Sequence, residues 1–143
     1  MAVDGTYPSV VQRRQDGNMY VPTGKSLEVE AGGFFMLPVE AGSSAAVFSN
    51  HGVTTFGTTA AETCALAQPA RAGILKVLAC VVHGATTVST TVTTVGAKIL
   101  GGSTVAAGTS VITFTSCGSL TLISASTATW VPLANPAANI AFS

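Results

Sequence analysis

Gly73-Ile74-Leu75-Lys76-Val77-Leu78-Ala79-Cys80-Val81-Val82-His83 is the stretch that decides the fold. Read with a period of two, Ile74, Lys76, Leu78, Cys80 and Val82 share one face, and Leu75, Val77, Ala79, Val81 and His83 share the other. Both faces are mainly apolar. The run is far shorter than the roughly 20 apolar residues a spanning helix needs, and it contains a lysine. It therefore predicts a long central strand buried on both sides. Lys76 is expected near the start of that strand, its stem packed and its ammonium reaching water or an acid.

Strand signals continue on both sides of this centre. Val, Ile, Thr and Phe dominate, punctuated at short intervals by Gly, Pro, Asn and Ser. Towards the N-terminus, Ser26 to Glu30 alternates, Gly32-Gly33 reads as a turn, and Phe34 to Val39 as a strand with Pro38 at an edge or bulge. Ala45 to Ser49 and Val53 to Phe56 flank Asn50-His51-Gly52, a hairpin signal. Towards the C-terminus, strands are expected over Thr86 to Thr94, Lys98 to Leu100, Ser110 to Thr115, Ser119 to Ile123 and Thr129 to Leu133. One segment reads as a helix: from Thr59 to Ala67, with Thr58 or Thr59 as cap, Glu62 in the first turn and Pro69 ending it. The cadence predicts an all-β chain, an antiparallel β-sandwich or barrel of jelly-roll-like character. Residues 26–143 form a single β-domain. Residues 1–25, with Tyr7-Pro8, Gln12 to Asn18 and Pro22-Thr23-Gly24, form an extended N-terminal arm.

Charge is scarce. Only 8% of residues are charged, against about a quarter in an average domain. From Ile99 to Ser143 there is no charged side chain, and the last acid is Glu62. A monomer of this mass exposes roughly 6,800 Å², and twelve charges cover such an area thinly. Much of the surface is thus expected to face other copies of the chain or a larger body. Thr86 to Val131 holds 20 Ser or Thr among 46 residues, with apolar residues alternating through it. Hydroxyls wet a sheet face without the desolvation cost of charge, so such a face suits water or an interface.

The net charge is zero, with six acids and three bases in residues 1–62 and only Arg71, Lys76 and Lys98 after them. Three scattered bases make no nucleic-acid footprint. No membrane helix is expected, and 6% aromatics are too few for the girdles of a membrane barrel. Cys64, Cys80 and Cys117 have spacings that suit neither a disulfide framework nor a zinc site. Cys80 and Cys117 read as small buried hydrophobes. Arg13-Arg14 is followed by polar residues rather than an apolar run, so synthesis in a reducing cytoplasm is expected.

The chemistry-bearing residues do not form motifs. His51 sits in a turn and His83 ends a strand, neither with a metal ligand at suitable spacing. Glu28 and Glu30 share one strand face, which suits solvation better than acid–base work. No G-x-S-x-G occurs, and Gly101-Gly102-Ser103 has no nearby His or acid. The Gly-rich turns lack the Lys and following helix of a phosphate loop. Trp130, the one tryptophan, reads as a core or interface anchor rather than a ligand platform. No catalytic, cofactor-binding or metal residue is expected.

Val111-Ile112-Thr113-Phe114, Gly118-Ser119-Leu120-Thr121-Leu122-Ile123 and Thr129-Trp130-Val131, followed by a small polar tail from Asn135 to Ala141, resemble a C-terminal pattern common in tailed-phage virion proteins. As a whole the chain resembles the small head decoration, or cement, proteins of tailed phages. That resemblance implies a non-enzymatic homotrimer on the capsid surface of the virion, clamping adjacent subunits of the major capsid protein. It has no catalytic residues to carry over and implies neither nucleic-acid nor membrane partners. The alternative is a phage head or tail fibre, or a receptor-binding β-module. A hydrolase whose Ser, His and acid come from distant parts of the chain is a further rival.

Overall fold

The computed structural model describes residues 12–13, 19–20, 36–58, 60–84, 89–100, 109–134 and 136–143. The chain divides into two compact units, Met1–Met36 and Leu37–Ser143. In the first, strands β1 (Gln12–Arg13) and β2 (Met19–Tyr20) pair antiparallel. The expected strands at Ser26 to Glu30 and the first part of Phe34 to Val39 lie outside the described residues.

The second unit is all-β and holds two sheets. The six-stranded sheet contains β3 (Val39–Ala41), β5 (Gly52–Thr58), β7 (Leu75–His83), β11 (Gly118–Ser126), β12 (Thr129–Pro132) and β9 (Lys98–Ile99), in that spatial order. The five-stranded sheet runs β13 (Ile140–Phe142), β10 (Val111–Phe114), β8 (Thr90–Thr94), β6 (Glu62–Leu66) and β4 (Val47–Phe48). The inner faces of the two sheets meet in one core. An aromatic seam crosses it: Phe48 stacks on Phe56 with centroids 5.6 Å apart, and Phe56 meets Phe114 edge to face at 5.0 Å. Both geometries suit the ring quadrupole.

From β3 to β11, successive strands alternate between the two sheets. The first six make three rungs, β3–β4, β5–β6 and β7–β8, stacked so that β3, β5 and β7 pair in parallel, as do β4, β6 and β8. The remainder closes on this stack mainly by antiparallel pairing, β10 against β8 and β11 against β7. The two-sheet sandwich read from the sequence is present. Its pairing is mixed, with antiparallel ladders concentrated in the C-terminal half, so the jelly-roll likeness does not extend to the parallel rungs. Alternation reports which face a residue occupies and not which strand lies beside it.

The expected hairpin at Asn50-His51-Gly52 is a crossing between sheets, since β4 and β5 belong to different ones. Phe48 and Phe56 can face each other only from opposite layers. Gly52 makes the corner, with φ of +74° and no space for a Cβ beside the Pro38 carbonyl. The expected helix from Thr59 to Ala67 is strand β6 instead. Cys64 and Leu66 point into the core with a period of two, and parallel ladders on both sides satisfy the backbone. A two-turn helix has no such support, being marginal on its own.

β7 is central to its sheet as expected, but it is buried on one face. Lys76, Leu78 and Cys80 are fully covered, Leu75, Val77 and Ala79 are half-buried, and Val81 and Val82 are exposed. The ladder to β5 slips at Phe56/Gly57, where Gly57 pairs with Val82, and the strand ends leave the core there. Where the chain passes from β8 to β9, Thr94 and Ser110 replace apolar packing. Ser110 N donates to Thr94 Oγ1 at 2.8 Å, and Ile99 N donates to Ser110 Oγ at 3.0 Å. The tail forms an unforeseen strand, β13. Asn139 Nδ2 donates to Cys117 O at 2.8 Å, which ties the turn before it to the β10–β11 turn.

Leu78→Ala should cost about 2–5 kcal/mol by lost transfer energy and cavity formation. Thr91→Ala, half-exposed on the outer face, should stay within about 0.5 kcal/mol. Thermal or urea unfolding of the two variants checks this, and equal losses would place the core elsewhere.

Candidate functional site

The most highly charged place inside the sandwich is built on β3, β5 and β7. Glu40, Thr54 and Lys76 lie on the inward faces of these adjacent strands, the register putting Glu40 beside Thr54 and Gly52 beside Lys76. Gly52 adds no side chain there. Lys76 Nζ is 2.8 Å from Glu40 Oε1. It also donates to the Thr54 hydroxyl, which in turn donates to the same carboxylate oxygen. The Ser49 amide donates to Glu40 Oε1 at 2.9 Å, and the His51 carbonyl accepts from Lys76 at 3.3 Å. All these bonds to the carboxylate reach Oε1 and none reaches Oε2.

The two partners differ in exposure. The Lys76 side chain is 0% exposed and that of Glu40 is 35% exposed. Burial alone would raise the Glu40 pKa, but hydrogen bonds from Lys76, Thr54 and Ser49 outweigh it and lower the value from 4.5 to about 2. Burial lowers the pKa of Lys76, and Glu40 opposes the shift. The sequence expectation that Lys76 would find water or an acid is met by an acid. That this acid lies on β3 was not foreseeable without the strand order.

The remaining candidates stay apart. His51 Nδ1 lies 3.1 Å from Asn50 Oδ1, and Ser49 Oγ donates to the His51 backbone carbonyl rather than to its ring. These bonds do not connect a Ser hydroxyl, a His ring and a carboxylate in series. The side chain of His83, and Glu28, Glu30 and Gly101 to Ser103, lie outside the described residues. Cys64 and Cys80 are buried. Burial raises the Cys64 pKa, helped by the charge of Glu62. Cys117, expected to be buried, is exposed, because it falls in the β10–β11 turn rather than on a strand. Trp130 is fully buried, and its Nε1 has no hydrogen-bond partner. Among the described residues, no group of three or more His, Cys, Asp or Glu is placed to hold a metal ion. No helix among them is long and apolar enough to cross a membrane.

A cavity of about 470 Å³ lies against β12, the edge strand β13 and Leu100, which follows the edge strand β9. Among the described residues its walls include Leu100, Val131, Leu133, Pro136 and Phe142, and none of those residues lining it is titratable. The side chains on these walls are apolar, and backbone polar atoms share the surface with them. Comparison with protein-family models and with curated proteins finds no match for this chain.

Removing Glu40 leaves a buried ammonium, whereas removing Lys76 leaves a carboxylate that reaches water. Glu40→Ala should therefore cost about 3–5 kcal/mol and Lys76→Met less, about 1–3 kcal/mol. Because the folded pKa of Glu40 is depressed, its contribution is present above pH 4.5 and lost as pH falls towards about 2. The Glu40→Ala protein should lose that part of the acid limb of its stability curve. Urea titrations between pH 2 and pH 7 test both statements. Equal costs, or an unchanged acid limb, contradict them.

Proposed function

We propose that this protein is a virion structural protein. It is a capsid decoration, or cement, protein that binds the outer shell of a tailed phage as a homotrimer and bridges subunits of the major capsid protein. The observation that carries the reading is the charge-free stretch from Ile99 to Ser143. It supplies β10 to β13, four of the eleven strands of the sandwich, and it exposes Leu100 and Leu133 beside a cavity walled by apolar side chains. A surface of this kind gains from being covered, at about 25 cal/mol per Å² of apolar area. Three copies acting together multiply weak contacts into firm attachment. The role is mechanical, exercised on the capsid surface after synthesis in the host cytoplasm.

The alternative, a fibre or receptor-binding module, would use Trp130 as an exposed platform. Its complete burial favours the shell-binding reading.

Mixing the purified chain with empty shells should give saturable co-sedimentation and shells that resist heat or osmotic shock better than bare ones. The arm, with Arg13, Arg14 and Asp16, is expected to grip the shell. Deleting residues 1–20 should therefore leave a folded sandwich that no longer co-sediments. Failure of the full chain to bind overturns the function, and equal binding by the shortened chain overturns the role of the arm.

A further inference from the structure

Two edge strands of the sandwich, β3 and β13, are three residues long, and they are held differently. β3 is pinned through Glu40 to the buried ammonium of Lys76. β13, Ile140–Phe142, carries no charge and pairs with one strand, β10. Beyond that ladder, its hold on the sandwich has three parts. Ile140 is buried in the core, and Phe142 packs against it. Val111 and Ser143 exchange backbone bonds, Val111 N donating at 2.7 Å and Ser143 N at 3.0 Å. Asn139, just before the strand, supplies the third. Its Nδ2 donates to Cys117 O at 2.8 Å and to Ser116 O at 3.2 Å. Its backbone carbonyl accepts from the Thr115 amide at 2.9 Å and from the Thr115 hydroxyl at 3.2 Å. One amide side chain thus fastens the strand to the β10–β11 turn. The fit is close, since a Cβ on Gly118 would lie 2.7 Å from Asn139 Nδ2.

The other strands do not need β13 for their pairing. Without it, β10 remains paired with β8, and β8 with β6. The seam of Phe48, Phe56 and Phe114 contains no residue of β13. What lifting the strand changes is local. The edge of β10 loses its partner, Ile112 and Phe114 lose Phe142 and Ile140 beside them, and the cavity loses the walls formed by Pro136 and Phe142. Short edge segments with few buried groups open at lower free energy than core strands do.

We propose that residues 139–143 form a detachable strap, latched by Asn139 onto the β10–β11 turn, which opens and closes as a unit while the rest of the sandwich stays folded. Opening uncovers the edge of β10 and the cavity beside it. It is a property of the single chain and does not depend on capsid binding.

Hydrogen exchange of the intact chain, followed amide by amide by NMR at increasing urea, tests the strap. The amides of Val111, Thr115 and Ser143 all take part in its bonds. They should exchange through an opening that scarcely depends on urea, whereas amides in the middle of β7 should exchange through global unfolding and depend on it steeply. Leu78→Val weakens the core in the closed and opened forms alike, so it should speed exchange in β7 and leave the strap amides unchanged. Gly118→Ala displaces the Asn139 amide from its two carbonyls, and Asn139→Ala removes it. Each should speed exchange at Thr115 and Ser143 by about tenfold, as the loss of two modest hydrogen bonds implies. Strap amides with the urea dependence of β7 overturn the proposal. So does equal acceleration of strap and β7 by Leu78→Val, or strap exchange that neither latch variant changes.

Discussion

Placing one ammonium inside a two-sheet core constrains the rest of this structure. Lys76 sits on the central strand with its side chain fully buried, so an anion and several hydroxyl or carbonyl oxygens must be brought to it. Glu40 supplies the anion from a three-residue edge strand that would otherwise have little to hold it. A slip of β3 by one residue would turn Glu40 to the outer face and leave the ammonium unpaired. The ion pair thus reinforces the register of a short edge strand. It also explains the neighbourhood: Thr54 relays between the two charges, Gly52 leaves room on the inner face, and the Ser49–His51 corner turns its amide and carbonyl inwards.

Much of the architecture was legible in the sequence, because burial imprints a period of two. The alternation of Gly73 to His83 located the central strand, and the strands at Ser110 to Thr115, Ser119 to Ile123 and Thr129 to Leu133 fall where β-branched runs stand between glycines and serines. What alternation does not encode is adjacency. The parallel stacking of β3, β5 and β7 depends on which corners swap sheets, and the Asn-His-Gly signal is equally compatible with a hairpin. β6 was masked by alanines, whose local preference is helical until two flanking strands outweigh it. β13 was masked by its shortness.

The chemistry was legible only in part. Lys76 stood out as a charge in an apolar run, but nothing in the sequence tied Glu40 to it, because their proximity is created by strand order. Cys117 was misplaced for a related reason: a residue beside a glycine can end a strand or occupy the turn after it, and here it occupies the turn. The cavity has no local signature, since its walls come from Leu100 after β9, from the end of β12, from the tail and from β13.

Lys76 is a fully buried ammonium partner of Glu40, and the side-chain nitrogen resonance of that lysine reports this directly. In nitrogen-15 NMR of the intact protein near neutral pH, the Lys76 ammonium should give a slowly exchanging signal. Its protons should show Overhauser contacts to the Thr54 methyl group. The exposed Lys98 should exchange too fast to be seen under the same conditions. A Lys76 signal averaged with solvent like that of Lys98, or one lacking contact with Thr54, would contradict the arrangement on which the fold is built.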